Sequence, residues 1–249
     1  MSRIFDALNE AGKEKSKGES PKVSLWAKVG PPQLAADSHK PNPSAEEYER
    51  LRQIISRMFP ETRSRVLMFV GPSEAEDNAT VAASFGYTVA WNGESAVLVD
   101  ANRRNSTLYR ILGTDQEPGM TELLSGKAEI QEVLCLTDAS KLLFVPGGAD
   151  ATGPLSAGEH AVLIDSLDVL KTSADWIILN APPANGSDDL AVLSAMVDGV
   201  VLVISAEKTR WEDALSAKKT LCNAGANILG AIFTGRKTRI PSWLERWLR

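Results

Sequence analysis

The apolar positions of this chain fall into short solid runs and longer periodic stretches, and the two kinds alternate. Val66 to Val70 is apolar on both faces, as a strand at the centre of a parallel sheet must be. Ser95 to Val99, Leu142 to Val145, Asp175 to Leu179, Val200 to Ile204 and Ile228 to Phe233 repeat that pattern. Helical spacing fills the intervals. Ser44 and Glu47 form a capping box ahead of a stripe at Tyr48, Leu51, Ile54, Ile55 and Met58, and Pro60 closes that helix. Residues 77–90 predict a helix of small residues. Residues 119–134 predict two short helical pieces. Residues 158–172 predict an amphipathic helix with Val162, Leu163, Leu167 and Leu170 inward, and residues 208–223 another helix. Strand and helix in strict alternation predict an α/β fold built on one doubly wound, mostly parallel sheet.

That core spans residues 44–235 and is flanked by two segments of different character. Residues 1–43 begin with Ile4, Phe5, Leu8 and Ala11 on one helical face, then turn to Lys, Glu, Ser, Gly and Pro, a composition too polar to order itself. The short helix reads either as a frayed tail or as a partner-docking element. Residues 236–249 place Ile240, Trp243, Leu244, Trp247 and Leu248 at i, i+3, i+4, i+7, i+8, with Arg236, Lys237, Arg239, Arg246 and Arg249 around them. A basic helix with a Trp-bearing face suits a membrane surface, a partner, self-association or its own domain.

With 249 residues and a net charge of -5, the chain can bury a full core and has no global drive toward nucleic acid. No apolar run reaches the roughly 18 to 20 residues of a membrane span, and the N-terminus lacks the apolar core of a secretory signal. Cys135 and Cys222 are solitary and read as buried thiols in a reducing cytoplasm. His39 and His160 are solitary too, so no metal site is assigned.

The candidate chemistry lies at the carboxyl ends of the strands. Val66 to Gly86 has the outline of a phosphate-binding loop: strand, turn-prone loop, helix. A working loop reads G-x-x-x-x-G-K-[ST], in which backbone N–H groups and the lysine hold phosphates and the hydroxyl holds Mg²⁺. Here Asp77, Asn78 and Ala79, followed by Thr80, stand where glycine, lysine and serine are expected. Glu74, Glu76 and Asp77 place three carboxylates where a polyanion would sit. Two like charges ~4 Å apart repel by about 4 kcal/mol at an effective dielectric near 20, so the sign is wrong for a triphosphate. Asp77 or Asn78 is expected to cap the helix in place of a ligand. The next strand ends in Asp100-Ala101-Asn102-Arg103-Arg104, a position where α/β sheets place ligands. The strand from Asp175 ends in Asn180, where an aspartate would help hold Mg²⁺.

Taken in order, EEYERLRQII, AVLVDANRR, EPGMTELLSG, LLFVPGG, DWIILNAPP with Asp189 beyond it, VDGVVLVISAEKTR and AGANILGAIF resemble the bacterial tyrosine kinases of the capsule and exopolysaccharide class. These are P-loop NTPase-like proteins related to the MinD/ParA ATPases. The resemblance covers roughly residues 45–236. It implies a P-loop fold, ATP and Mg²⁺ as cofactors, autophosphorylation on a C-terminal tyrosine cluster, ring formation, and activation by a transmembrane polysaccharide co-polymerase.

This chain departs from the family at each catalytic point. Besides the loop, Asn102 and Asn180 replace two aspartates, although Asp100 is retained. Glu49 stands where the ring-forming helix has an arginine, and no tyrosine follows Tyr109. The expectation is a pseudokinase: a non-catalytic scaffold or regulator of polysaccharide synthesis and export that needs no cofactor. It would sit in the cytoplasm at the inner membrane face, beside the co-polymerase (chain-length determinant) or an active kinase paralogue, with a membrane surface and oligomerisation left open. Two alternatives stand beside it. One is a divergent ATP-binding kinase or ATPase that recruits Arg103, Arg104 or Lys208 to the phosphates. The other is a MinD/ParA-like membrane-positioning protein anchored through Trp243, Leu244, Trp247 and Leu248.

Overall fold

The computed structural model describes residues 45–60, 62–74, 77–151, 153–206 and 208–235. The N-terminal helix expected before residue 44 and the amphipathic stretch 236–249 lie outside them.

In chain order the elements are α1 (Ala45–Met58), β1 (Arg65–Val70), α2 (Asn78–Trp91), β2 (Ala96–Asp100), α3 (Leu108–Leu112), α4 (Met120–Leu124), α5 (Ile130–Val133), β3 (Cys135–Leu136), β4 (Leu142–Val145), α6 (Ala157–Ser173), β5 (Trp176–Asn180), α7 (Leu190–Ala195), β6 (Gly199–Ser205), α8 (Trp211–Asn223) and β7 (Ile228–Thr234). The strands form one seven-stranded sheet in the order β3-β4-β2-β5-β1-β6-β7. Every pairing is parallel except β3 with β4. The mostly parallel, doubly wound sheet expected from the alternation is present.

Solid apolar strands require cover on both faces, and the core accordingly has two layers. One face buries Leu67, Phe69, Leu98, Phe144, Trp176 and Ile178 beneath α1 and α2. Phe85 of α2 anchors that layer, with ring centroids 5.4 Å from Phe69 and 5.5 Å from Trp176. The other face buries Val66, Met68, Val97, Val99, Ile177 and Leu179 beneath α4, α6, α7 and α8. α6 opens on the Ser156–Glu159 capping box, with Ser156 Oγ accepting from the Glu159 N–H.

Three features depart from the sequence expectations. The stripe on α1 is only half used: Tyr48 and Ile55 are buried, whereas Ile54 and Met58 are 55% and 48% exposed. The helix packs on α2, and among the described residues nothing covers the flank of the wider stripe. The antiparallel β3 and the short helices α3 and α7 were not foreseen. Each is too short for a periodic signal to emerge. Finally, the thiols expected to be buried are not: Cys135 is half-buried in the edge strand β3 and Cys222 is exposed near the end of α8. The residues after β4 need a glycine at 119 for space. A Cβ there would lie 2.4 Å from both the Pro146 carbonyl and the Gly148 nitrogen.

Candidate functional site

The sheet register brings the loop and both strand ends together. Phe69 pairs with Asn180, and Asn180 pairs with Asp100, so β1, β5 and β2 finish level with one another. Asn180 lies on the same face of β5 as Trp176 and Ile178, and Asp100 on the same face of β2 as Ala96 and Leu98, by the period-2 rule of strands. Both side chains therefore point to the side where α2 begins, and Asn78 is the first residue of α2.

A continuous hydrogen-bonded chain results. Asn78 Nδ2 donates to Asn180 Oδ1 at 2.7 Å, to the Phe69 carbonyl at 2.9 Å and to the Ala181 carbonyl at 3.2 Å. Asn180 Nδ2 in turn donates to Asp100 Oδ1 at 2.8 Å. Asp100 Oδ2 accepts from Ser106 Oγ at 2.7 Å and from the N–H groups of Thr107 and Leu108 at 3.3 Å. Asn180 and Asp100 are buried. Burial raises the Asp100 carboxyl above the ordinary carboxylate range, and the donors from Ser106, Asn180, Leu108 and Asn102 oppose that rise.

Above this chain lies an open cleft of about 190 Å³, lined by Glu74, Asp77, Asn78, Asn102, Asn105 and Thr107 among others. Ala79, Thr80 and Asn180 also reach it, and among the described residues no lysine or arginine lines it. Glu74 Oε2 accepts from Asn105 Nδ2 at 2.9 Å and Asn102 Nδ2 at 3.3 Å, which ties the loop to the turn after β2.

Several sequence-singled residues lie elsewhere. Arg103 is buried, with its guanidinium 3.3 Å from Glu159 Oε1 and 4.0 Å from Asp189 Oδ2. Asp189 also accepts from the Leu155 N–H at 2.7 Å, so it fastens a loop and does not line the cleft. Arg104 is exposed and outside the lining. Lys208 reaches only the rim, where its Nζ stands 3.6 Å from Asp77 Oδ1. Asp77 precedes α2 but makes no side-chain cap, contrary to expectation. Its φ of -82° and ψ of 36° turn the carboxylate away from the first N–H groups, and it accepts instead from Thr234 Oγ1 at 3.2 Å. Trp243, Leu244, Trp247 and Leu248 lie outside the described residues. Sequence reasoning passed over Asn105, Ser106 and Thr107. The Asn and Ser/Thr content of the turn after β2 was the available signal, and the neighbouring arginines obscured it.

A strand–loop–helix unit leads a doubly wound, mostly parallel sheet, and known proteins share that fold. The kinase domain of Escherichia coli tyrosine kinase ETK superposes with a TM-score of 0.69 at 21% identity, over 91% of this chain and 84% of that one. The septum site-determining protein MinD from Pyrococcus horikoshii, complexed with Mg-ADP, superposes with a TM-score of 0.58 at 21% identity, over 74% and 77%. No family model matches the chain. In sequence, tyrosine-protein kinase CpsD of Streptococcus agalactiae is 28% identical over 177 residues, 70% of this chain and 76% of CpsD. Homologues of this chain are therefore bacterial tyrosine-protein kinases, and the fold is shared with their kinase domains and with MinD. Among the described residues no helix is long and apolar enough to cross a membrane.

Proposed function

We propose that this protein is a non-catalytic relative of the tyrosine-protein kinases, serving capsule or exopolysaccharide synthesis and export as a scaffold or regulator. One observation carries the reading. At the position where the family resemblance places the phosphate-gripping lysine, Asn78 turns its amide down onto the ends of β1 and β5. The amide nitrogens of Asn78 and Asn180 then donate along the chain toward Asp100, with no metal or phosphate between them. A cleft whose charged lining groups, among the described residues, are Glu74 and Asp77 repels a polyanion, and an amide at 180 offers Mg²⁺ no charge. Its expected partner is a transmembrane co-polymerase or an active kinase paralogue, met at the inner face of the membrane.

The divergent-ATPase reading needs Arg103 or Arg104 at the phosphates. Arg103 held between Glu159 and Asp189 speaks against it. Titration with a fluorescent ATP analogue in Mg²⁺ tests the proposal. Binding weaker than about 100 μM, equivalent to roughly -5.5 kcal/mol, is expected. Tighter binding that needs Mg²⁺ rejects the non-catalytic reading.

A further inference from the structure

The two edges of the sheet are built differently. β3, at one edge, is two residues long and antiparallel, which leaves little ladder to extend. β7, at the other, runs seven residues, ILGAIFT, with no charge and no proline. Its irregularity against β6 falls at its start, and from Gly230 to Thr234 the register is unbroken. Charge, proline, bulges and shortness are the devices that keep a sheet edge from pairing, and this stretch carries no charge, proline or bulge. Among the described residues nothing pairs with its outer side. Apolar side chains gather over the same edge. Ile232 packs on the core layer beneath α1 and α2, so Phe233, next along the strand, points to the opposite face, the one α8 covers. Phe233 is 61% exposed. α8 turns Ala217 and Leu221 down onto the sheet. The Asn185 amide donates to the Asp213 carbonyl at 3.2 Å, which fixes the flank of α8 that faces the interior of the sheet. Trp211 and Leu215 fall on the other flank by the 3.6-residue turn, toward the β7 edge, and are 75% and 38% exposed.

We propose that β7 pairs antiparallel with β7 of a second copy of this chain, joining the two sheets into one about a twofold axis perpendicular to them. Charge selects this occupant and this direction. α8 exposes Glu212 near its N-terminal end and Lys218 and Lys219 toward its C-terminal end. That twofold leaves both α8 helices on one face, antiparallel across the axis, and sets Glu212 of each copy against the lysines of the other. A twofold that pairs β7 parallel puts the two α8 helices on opposite faces, where those charges never meet. The area fits as well. An aromatic side chain buries about 150–250 Å², so covering the exposed parts of Trp211 and Phe233 in both copies accounts for roughly 500 Å² of the ~1,600 Å² of a standard interface. Leu215, the strand edges and the flanks of α8 add to it. The interface is isologous and closed, so association stops at two copies.

Sedimentation velocity of the full chain at up to about 50 μM tests this, since the population of a dimer depends on concentration. A monomer–dimer equilibrium is expected. Phe233→Lys and, independently, Trp211→Glu should each raise its dissociation constant about tenfold or more, as the loss of one anchoring aromatic does. Both side chains are exposed, so the thermal midpoint of each variant should stay near that of the wild type. Glu212→Lys and Lys219→Glu should each weaken the dimer, and the two together should restore it. A chain that stays monomeric at that concentration, a dimer indifferent to Phe233→Lys and Trp211→Glu, charge reversals that do not rescue each other, or assembly beyond two copies overturns the proposal. So does a dimer lost only with Trp243→Ala and Trp247→Ala, which would assign the association to residues 236–249. ATP titration reports on the nucleotide cleft alone, so the two readings fail separately.

Discussion

Asn180→Asp restores the residue that the family resemblance leads one to expect, and the structure says what it should cost. Asn180 Nδ2 donates to Asp100 Oδ1 at 2.8 Å, and Asp100 is wholly buried. A carboxylate in place of that amide faces a second carboxylate at contact distance. Holding both ionised costs about 4 kcal/mol at 4 Å and an effective dielectric near 20. The alternative is for one of the pair to keep a proton. That costs about 1.4 kcal/mol for each unit between the pH and an ordinary carboxyl pKa near 4, hence roughly 4 kcal/mol at pH 7 and 1.4 at pH 5. The sign follows from linkage. The pair has its pKa raised on folding, so the variant matches the wild type best below the unfolded pKa and loses stability as pH rises toward the folded value. In equilibrium urea unfolding, with a slope of about 2 kcal/mol/M, the midpoint should fall by roughly 2 M at pH 7 and by less than 1 M at pH 5. Asn180→Ala serves as the control. It removes one donor and one acceptor and should lose about 1–3 kcal/mol with little dependence on pH. A loss for Asn180→Asp that is the same at pH 5 and pH 7, or absent at pH 7, would show that the contact with Asp100 is not made.

Other expectations follow from other parts of the molecule. Glu49 accepts from Arg52, Gln53 and Asn92, chiefly from Arg52, which lowers its carboxyl to about 2. A depressed folded pKa gives stability that is present above 4.5 and lost as pH falls toward 2, so the gap between wild type and Glu49→Gln in urea midpoint should shrink from pH 6 to pH 3. Arg103→Ala should destabilise by about 1–3 kcal/mol through loss of its contacts with Glu159 and Asp189. It should leave any weak nucleotide affinity unchanged, and a selective loss of ATP binding at intact stability would return Arg103 to the phosphates. Gly119→Ala forces a Cβ to within 2.4 Å of backbone on two sides. Folded yield and thermal midpoint should both drop markedly, and a variant that melts within 2 °C of wild type, roughly the effect of 0.5–1 kcal/mol in a chain of this size, would contradict that packing.

Much of this was legible in the residues, and the reasons differ by region. VLMFV, AVLV, WIIL and VVLVI announce central strands because a parallel sheet buried on both faces favours an unbroken apolar run. The order of those strands was not legible. Nothing in the sequence places β5 between β1 and β2, yet that placement is what sets Asn180 between Asn78 and Asp100. The unusual loop composition was plain at Asp77, Asn78 and Ala79, but its structural consequence was not. Asp77 was expected to cap α2, and only the backbone turn shows its carboxylate directed to Thr234. Arg103 and Arg104 drew attention by charge alone, whereas burial among Glu159 and Asp189 decides what Arg103 does. On α1 the period of 3.6 identified the helix, but not how much of its apolar stripe finds a neighbour.

The central claim is that the acid-and-amide cleft between β1, β2 and β5 does not grip a nucleotide. Isothermal titration of the purified chain with ATP, with and without Mg²⁺, measures that directly. Heats indistinguishable from dilution up to about 100 μM ligand are predicted in both buffers. A saturable, Mg²⁺-dependent heat with a dissociation constant of about 10 μM, or roughly -7 kcal/mol, would contradict it.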